Sequence, residues 1–387
     1  MLKIALICDW YLPRVGGIEI QMHGLARSLI ACGHDVRVIT SCPGPDLIDG
    51  VRVYRLKVPL IPGVKLSYGP VTERRLRELL EREHVDVIHG HYLLSSLTHL
   101  GIYLGRQLDI PTVFTHHSLN AEFHNRPLLI AVPLMLSFFG LVLFHRFLRH
   151  ASFYPSVVTA VSNAVAADMS IVFRNKKIPV LPNGINTEKW RCEKVRHGRF
   201  NIMSVMRLAR SKDPMTLIRA IPEINSRLPE DLRPVYTIIG DGPERKRIQR
   251  EITRLHIADQ VLLAGLRTHK EIKRQFTITD LFLLPSRQEG FGIAALEALS
   301  AGIPVVGMNR GGLMDIVEQG RNGFLADSFE EFVEYSVELI VDRDKRRRMS
   351  RTAGEMAEMF SWEEVVFRHV ETYEQAIRNH RLNSISG

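Results

Sequence analysis

The chain has 387 residues but only four cysteines: Cys8, Cys32, Cys42 and Cys192. None of them stands in a C-x-x-C pair or at another spacing that would hold a metal ion. Scattered thiols in a chain of this length are typical of a reduced, cytosolic protein. The sequence therefore predicts neither a disulfide framework nor a structural zinc site.

Sequence motifs of several enzyme classes are absent as well. The chain contains no G-x-S-x-G nucleophile elbow, no P-loop and no G-x-G-x-x-G dinucleotide fingerprint. Its one D-x-D pair, Asp342 and Asp344, lies among basic residues in VDRDKRRRM, as expected of a solvated helix end. These absences weigh against serine hydrolases, P-loop NTPases and nicotinamide-dependent dehydrogenases. We expect neither a metal ion nor a cofactor.

The charge of the chain is moderately positive, with 51 Lys and Arg against 42 Asp and Glu. Hydrophobic residues make up 45% and charged residues 24%, the balance of an ordinary globular protein. Residues 1–190 are the more basic half, which favours anionic partners such as phosphates or acidic lipids. The basic residues are dispersed and lack interleaved aromatics, so we do not expect binding to nucleic acid.

Long apolar runs are limited to one segment, residues 127–144, which reads PLLIAVPLMLSFFGLVLF between Arg126 and Arg146. Its 18 uncharged residues reach the lower limit for a membrane span, but Pro133 and Gly140 interrupt it. This segment has three interpretations: a pair of buried core helices, a monotopic patch that inserts into one leaflet, or a full membrane span. We favour the monotopic patch and consider the full span the weakest.

Short apolar segments alternate with amphipathic segments from end to end. The N-terminal MLKIALICDWY has too short an apolar run for a signal peptide, so we expect a first strand there. Strand-like segments rich in Val and Ile recur in two sets, with helical periodicity between them. The pattern predicts an α/β protein with two doubly wound domains, residues 1–190 and 191–360, followed by an amphipathic helix of residues 361–387. We expect this helix to pack back on the first domain.

The most informative segment is SRQEGFGIAALEALSAGIPVVGMNRGG, residues 286–312. Glu289 is placed in a loop after a predicted strand, Phe291 and Gly292 follow, and Glu297 falls within the next helix. A glycine-containing loop that leads into a helix offers free backbone N–H groups to a phosphate. Carboxylates accept paired hydroxyls of a ribose or a hexose. Two surface glutamates are the alternative, but the glycines and flanking apolar strands favour a binding site.

A second candidate is SVMRLARSKDP, residues 204–214, in which Arg207 and Lys212 follow a predicted strand. Two cations at this spacing suit a diphosphate, although an exposed basic turn would look the same. The nearby GDGPER segment supplies a glycine turn at Gly240 and Gly242, which is weakly specific alone.

In the first half, the loop VGGIEI follows the first predicted strand and leads into a helix. Gly16 and Gly17 allow the backbone to approach a phosphate or sugar closely. His116 and His117 end another predicted strand, and two more histidines lie in HGHY, residues 89–92. Isolated histidines at strand ends are more often structural, and no third ligand stands at metal spacing.

Taken together, these motifs resemble those of the retaining, nucleotide-sugar-dependent glycosyltransferases of family four. The resemblance covers essentially the whole chain, and its parts, each weak alone, are highly specific in combination. It rests on GGIE (16–19), THHS (115–118), LPNGIN (181–186), the Arg207/Lys212 pair, GDGPE (240–244) and the segment from Glu289 to Glu297. It implies the GT-B fold, in which two Rossmann-like domains face a central cleft. Within the family, VDVIHGHY and VFTHHSLN are most similar to the catalytic subunit of N-acetylglucosaminyl-phosphatidylinositol synthesis and its prokaryotic relatives.

The resemblance also implies roles for the candidate residues. Arg207 and Lys212 would hold the donor diphosphate and stabilise the leaving group as charge develops. Glu289 would bind hydroxyls of the transferred sugar, and Glu297 would bind the ribose of the nucleotide. The expected catalytic set is His117, Arg207, Lys212 and Glu289.

The remaining implied contacts concern the phosphates and the acceptor. Amides of Phe291 and Gly292 would lie at a phosphate, and Gly16 and Gly17 would press against the donor phosphates. His117 would lie near the donor sugar and the acceptor hydroxyl; we choose it over its neighbour because the family histidine precedes Ser or Thr. The expected donor-binding set is Gly16, Gly17, Gly240, Gly242, Phe291, Gly292 and Glu297.

The implied activity is transfer of a hexose or N-acetylhexosamine, with retention and without metal, from a nucleotide diphosphate sugar. UDP-N-acetylglucosamine is the favoured donor, and the apolar segment 127–144 favours a lipid-linked or phospholipid acceptor at the cytosolic face of a membrane. The alternatives are a GDP-mannose or UDP-glucose donor with a soluble acceptor, or a non-catalytic scaffold subunit. We expect a cytoplasmic protein in peripheral contact with the membrane, with a partner subunit or a second copy as an open question.

Overall fold

The computed structural model describes residues 1–14, 16–57, 60–61, 64–65, 69–93, 95–119, 155–173, 177–195 and 198–385. Side chains at 60–61, 64–65 and 383–385 are not part of this description. The apolar segment 127–144 falls outside the described residues. Backbone contacts divide the chain into two compact units: unit 1 comprises Met1–Val161, Val165–Gly184 and Trp362–Gly387, and unit 2 comprises Ser162–Ala164 and Ile185–Ser361.

Unit 1 is built on a sheet whose strands follow the order β3-β4-β2-β1-β7-β8-β9. All pairs in this sheet are parallel except β3 with β4. A separate antiparallel pair joins β5 to β6. The strands are β1 (Lys3–Ile7), β2 (Asp35–Thr40), β3 (Leu47–Ile48), β4 (Val51–Arg55), β5 (Leu60–Ile61), β6 (Val64–Lys65), β7 (Val87–His91), β8 (Thr112–His116) and β9 (Val157–Ala160).

Helices of unit 1 connect and cover these strands. They are α1 (Gly17–Ala31), α2 (Pro70–Glu83), α3 (Ser96–Gln107), most of α4 (Asn163–Val172) and the C-terminal helix (Trp362–Ile385). The start of α3 is fixed by Ser95, whose side chain accepts a hydrogen bond from the backbone N–H of Thr98. Pro70 opens α2, the helical position at which a missing N–H costs nothing.

The two faces of this sheet bury separate hydrophobic clusters. On one face, Leu6 packs with Met22 and Leu25 of α1 and with Val366 and Tyr373 of the C-terminal helix, all essentially inaccessible to solvent. The opposite face is covered by leucines of α2 and α3. The C-terminal helix is therefore part of the core of unit 1, although it is far from that core in the sequence.

Unit 2 contains a second sheet, entirely parallel, in the order β12-β11-β10-β13-β14-β15. Its strands are β10 (Asn201–Val205), β11 (Val235–Ile239), β12 (Val261–Gly265), β13 (Leu281–Leu284), β14 (Val305–Met308) and β15 (Gly323–Ala326). Its helices are α5 (Thr187–Trp190), α6 (Pro214–Ser226), α7 (Arg245–Arg254), α8 (His269–Phe276), α9 (Ile293–Ser300), α10 (Phe329–Val341) and α11 (Arg343–Ala357).

The strand orders confirm the sequence-based prediction of two doubly wound parallel α/β folds. In each sheet the order reverses once, between β1 and β7 in unit 1 and between β10 and β13 in unit 2. Ligands of such sheets bind at the carboxyl ends of the strands beside this reversal. Within the described part of the chain, no helix has the length and apolar character needed to cross a membrane.

Candidate active site

In unit 2, two loops leave the sheet at its point of reversal. One follows β10 and carries Arg207 and Lys212, and the other follows β13 and carries Glu289. Their backbones are joined, because the carbonyl oxygen of Ser211 accepts hydrogen bonds of 3.0 Å from the N–H groups of Arg287 and Gln288. Lys212 and Glu289, which are 77 positions apart in the sequence, therefore lie on one continuous surface at the carboxyl edge of the sheet.

Lys212 and Glu289 form the central ion pair of this surface. The Lys212 Nζ atom lies 2.9 Å from Oε2 of Glu289 and also donates to the carbonyl oxygen of Gln288 at 3.1 Å. The Ser286 hydroxyl donates to the same Oε2 atom at 3.2 Å. Only 21% of the Lys212 side chain and 12% of the Glu289 side chain are exposed. The pair is held in place by the loops, and one edge of it remains open to a ligand.

Arg207 has a different environment from Lys212. Its side chain is exposed, and the guanidinium has no hydrogen bond or ion pair with any residue that the structure describes. A neighbouring cation, Arg287, is instead engaged by Asp213, with Nε and Oδ2 2.6 Å apart. The Arg207 guanidinium, at the end of β10, is therefore available to an anion.

The glycines of the GDGPER segment bring a third loop against Arg207. A Cβ atom at Gly240 would overlap the carbonyl oxygen of Met206, and one at Gly242 would overlap that of Leu208. The Leu208 N–H donates to the carbonyl oxygen of Asp241 at 3.0 Å. Both glycines therefore allow this loop to pack closely against the backbone on either side of Arg207. A direct contact of the glycines with a donor remains a prediction.

The loop from Glu289 leads into α9 through Phe291 and Gly292. Gly292 is the N-cap of α9 and has a φ of +99°, a conformation that residues with a side chain rarely adopt. Phe291 is buried against Phe360, with ring centroids 5.8 Å apart. The first N–H groups of α9 have no intrahelical partner, so this turn offers donors and a positive helix end to an anion.

Sequence reasoning overlooked Gly311 and Gly312, which follow β14. A Cβ atom at Gly311 would overlap the carbonyl oxygen of Glu289, and one at Gly312 would overlap the backbone of Gly290 and Phe291. The Gly312 N–H also donates to the Glu289 carbonyl oxygen at 2.7 Å. These glycines shape the loop that presents Glu289, and the adjacent pair in NRGG was the signal that could have revealed them.

Glu297 is the fifth residue of α9 and is only 7% exposed. Burial raises the pKa of its carboxyl group to about 8, and the nearby charge of Lys189 opposes this shift. In the unliganded protein the carboxyl group is therefore largely protonated at neutral pH, so it can both donate and accept hydrogen bonds.

In unit 1, Gly16 and Gly17 stand where β1 is followed by α1. Gly16 is the N-cap of α1, and a Cβ atom there would overlap the side chain of Glu19. Glu19 is buried and forms an ion pair with Arg14 at 3.3 Å between Oε1 and Nε. The glycine therefore leaves room for a carboxylate within the first turn of the helix.

The strand-end histidines of unit 1 form a cluster rather than isolated residues. His91 Nδ1 and His117 Nε2 are 3.0 Å apart, which is a hydrogen bond. The His89 ring lies 4.0 Å from that of His91 and is itself bonded to Tyr373 and Thr115 at 2.8 and 2.7 Å. His117 is partly exposed at the end of this row. Burial lowers the pKa of His91 and of His117, so both rings are neutral at neutral pH.

Over the described ranges, no three or more His, Cys, Asp or Glu side chains are grouped so as to hold a metal ion. The candidate residues of the two units, each unit taken by itself, are distinct in character. Unit 2 provides cations, a helix N-terminus and two carboxyl groups, and unit 1 provides a glycine turn and a neutral imidazole.

Two family profiles match nearly all of this chain, and they define its class as glycosyltransferase. Residues 15–189 match the family described as Glycosyltransferase Family 4. Residues 186–356 match the family described as Glycosyl transferases group 1. The chain belongs to the family-four glycosyltransferases of GT-B fold, as the sequence motifs predicted.

Individual relatives extend this assignment. The chain is 24% identical over 396 residues to the gpi3 subunit of phosphatidylinositol N-acetylglucosaminyltransferase from Schizosaccharomyces pombe, covering 98% of this chain and 82% of the yeast protein. It is 25% identical over 405 residues to N-acetyl-alpha-D-glucosaminyl L-malate synthase of Bacillus anthracis, covering 99% and 100%. The solved structure of Anabaena HepE in complex with UDP and glucose has the same fold, with a TM-score of 0.72 at 20% identity over 97% of this chain and 100% of HepE.

Proposed function

We propose that this glycosyltransferase moves N-acetylglucosamine, with retention of configuration, from UDP-N-acetylglucosamine to a phospholipid or lipid-linked acceptor. The observation that carries the donor assignment is shared by both relatives described above. The yeast protein and the Bacillus protein are each named for transfer of an N-acetylglucosaminyl group, although their named acceptors differ. The HepE structure supports a uridine diphosphate donor for this fold, because it holds UDP.

The geometry of unit 2 supports a diphosphate at the reversal of the sheet. Lys212 and the exposed Arg207 supply two positive charges, and the N-terminus of α9 supplies backbone donors beyond Gly292. These groups stabilise the negative charge that develops on the leaving phosphate. No metal is required in this proposal, since fixed cations and a helix terminus carry that charge.

Two carboxyl groups bind the remaining parts of the donor. Glu289, beside Lys212, binds hydroxyls of the transferred sugar, and Glu297, deeper on α9, binds the ribose. They are eight positions apart in the sequence, with Glu289 in the loop and Glu297 on the helix, so they contact different parts of an extended ligand. In unit 1, His117 binds near the sugar and the acceptor hydroxyl, with Gly16 and Gly17 against the phosphates.

The transfer step is a displacement at the anomeric carbon. The acceptor hydroxyl oxygen forms the new bond to C1, and the bond from C1 to the phosphate oxygen breaks. The electron pair leaves with UDP, and the hydroxyl proton passes to a phosphate oxygen on the same face. Front-face attack of this kind leaves the anomeric configuration unchanged.

A lipid acceptor is favoured by the apolar segment 127–144 and by the acceptor named for the yeast relative. The soluble acceptor named for the Bacillus relative, L-malate, keeps a second candidate open. In the lipid case the protein acts at the cytosolic membrane face in peripheral contact. The yeast relative is named as a subunit, so we also propose that this chain works with a partner subunit or a second copy.

Ligand-observed NMR on the purified full chain, without added metal, tests the donor. We expect UDP-N-acetylglucosamine to bind in preference to UDP-glucose and GDP-mannose. In Glu289→Ala the sugar signals should weaken while the uridine signals persist. Preference for another donor would contradict the assignment, and binding of none would favour a non-catalytic scaffold subunit.

UDP release tests the acceptor, with vesicles containing phosphatidylinositol in one arm and L-malate in the other. We expect release only with vesicles, and a product with α configuration. The double variant Phe138→Glu/Phe139→Glu should lose sedimentation with vesicles while keeping its melting temperature. Loss of folding in that variant would instead assign the segment to the core, and release with malate alone would support the soluble acceptor.

A further inference from the structure

A small cavity of unit 1 has His117 in its lining. It provides about 10 Å³ of space for the centre of a water molecule, which is room for roughly one water. Its lining includes Gln21, His91, His117, Asn183 and His369. Most of the lining surface is apolar, so the few polar side chains that face the cavity beside a proposed catalytic imidazole can determine how that imidazole is protonated.

Two buried polar atoms of this lining have no hydrogen-bond partner among the described residues: Oε1 of Gln21 and Nε2 of His91. Gln21 is 6% exposed and His91 is 2% exposed. The Gln21 amide is oriented by its Nε2 atom, which donates to the carbonyl oxygen of Gly184 at 3.0 Å. The Gln21 oxygen is therefore an unsatisfied acceptor, and the remaining question is whether His91 Nε2 carries a proton.

The hydrogen bond between His91 and His117 allows two arrangements of neutral rings. In the first, His91 Nδ1–H donates to His117 Nε2, so His91 Nε2 is a bare acceptor. In the second, His117 Nε2–H donates to His91 Nδ1, which leaves an N–H buried at His91 Nε2 without a partner. Orphaned buried N–H groups are rarer in native proteins than under-satisfied acceptors, which favours the first arrangement.

We propose that His91 is a positioning residue that holds His117 in the Nδ1–H tautomer, so that His117 presents a hydrogen-bond donor to the reacting sugar or acceptor. This inference rests on the proposed role of His117 but deepens it, because it makes His117 a donor rather than a base. The His89 ring, 4.0 Å from that of His91, packs against it and keeps the pair aligned.

Nitrogen-15 NMR of histidine-labelled protein reads the tautomer directly, with His117 assigned by comparison with His117→Gln. We expect Nδ1 of His117 to carry the proton in the wild type. His91→Leu should produce a tautomer mixture and lower kcat by about 10–100-fold, the size of loss seen when the partner that orients a metal-bound histidine is removed, with little change in donor KM. A wild-type spectrum with the proton on Nε2 would overturn the proposal.

His91→Asn tests rescue, because the asparagine amide nitrogen can donate from the place of His91 Nδ1. It should restore the Nδ1–H tautomer and most of kcat even if the leucine variant folds poorly. His369→Gln is the matched control: it alters the same cavity without removing the bond to His117, so tautomer and kcat should stay near wild type. An unchanged tautomer in His91→Leu, or failure of His91→Asn to restore it, would refute the positioning role. If the wild type and the His91 variants show the expected tautomers but His117→Gln keeps full activity, only the proposed function of His117 is contradicted.

Discussion

Lys212 Nζ and Glu289 Oε2 lie 2.9 Å apart, joining the residue expected to hold the diphosphate to the residue expected to hold the sugar. They come from loops after different strands, β10 and β13, which are neighbours at the reversal of the sheet. The two parts of the donor site are therefore electrostatically dependent on each other. A change in either partner leaves the other charge largely buried without compensation.

We expect Lys212→Met to abolish turnover and to lower the free energy of unfolding by about 1–2 kcal/mol, because Glu289 loses its counter-charge. Adding Glu289→Gln should restore most of the stability but none of the activity. Thermal unfolding and a UDP-release assay on the two single variants and the double variant measure both effects. Independent, additive losses of stability would show that the pair is not coupled.

Arg207→Ala separates catalysis from stability at the same site. The Arg207 side chain is exposed and makes no ion pair or hydrogen bond to any described residue, so its removal should leave the melting temperature within about 1 °C. Turnover should still fall by two or more orders of magnitude, since one of the two diphosphate cations is lost. Normal turnover in this variant would remove Arg207 from the donor site.

The raised pKa of Glu297 predicts a pH dependence of nucleotide binding. Its carboxyl group has a pKa of about 8 when unliganded, and ribose hydroxyls that donate to it favour the ionised form. Binding of UDP should therefore release protons near pH 7, and affinity should rise from pH 6 to 8 and level off above. Calorimetry in two buffers of different ionisation enthalpy measures the number of protons released.

Glu297→Gln provides the control for this titration, since glutamine resembles the neutral acid and cannot ionise. The variant should bind UDP without proton release and without the rise in affinity towards pH 8. Glu289→Gln should retain both effects. Equal proton release in wild type and Glu297→Gln would place the ribose elsewhere.

Gly312→Ala should disturb the loop that presents Glu289, because the added methyl group overlaps the backbone of Gly290 and Phe291. We expect a loss of about 1–3 kcal/mol in unfolding free energy and a weaker affinity for the donor sugar. Gly354→Ala, a matched change in helix α11 with open space around it, should be neutral or stabilising. Chemical denaturation of both variants compares them, and equal stability would contradict the tight packing at Gly312.

Local signals were sufficient to predict the β/α alternation and the two sheets, because each strand is a short apolar segment and each loop carries glycine or charge. They also led to Lys212 and Glu289 individually, since each lies in the loop that follows a strand. The parallel sheets bring such strand ends to the same edge. Because Lys212 and Glu289 each come after a strand in the sequence, their place at the carboxyl edge of the sheet could be predicted.

The pairings could not be predicted, because they depend on contacts between distant segments. Nothing in the sequence shows that Lys212 meets Glu289, that His91 bonds to His117, or that Gly311 and Gly312 pack on the loop after β13. The two-residue strands β3, β5 and β6 also escape periodicity, which needs longer segments to be detected.

The attachment of the C-terminal helix to unit 1 is tested at Trp362. Its indole ring fills the space beside Gly24 of α1 and Gly184, where a Cβ atom at either glycine would overlap it. Trp362→Ala should cost about 2–4 kcal/mol, whereas Phe367→Ala on the exposed side of the same helix should change stability by less than about 0.5 kcal/mol. Gly24→Ala should also destabilise, but much less when combined with Trp362→Ala, because the methyl group then enters the vacated space. Urea denaturation of this cycle measures the coupling, and simple additivity of the two losses would show that the helix does not pack here.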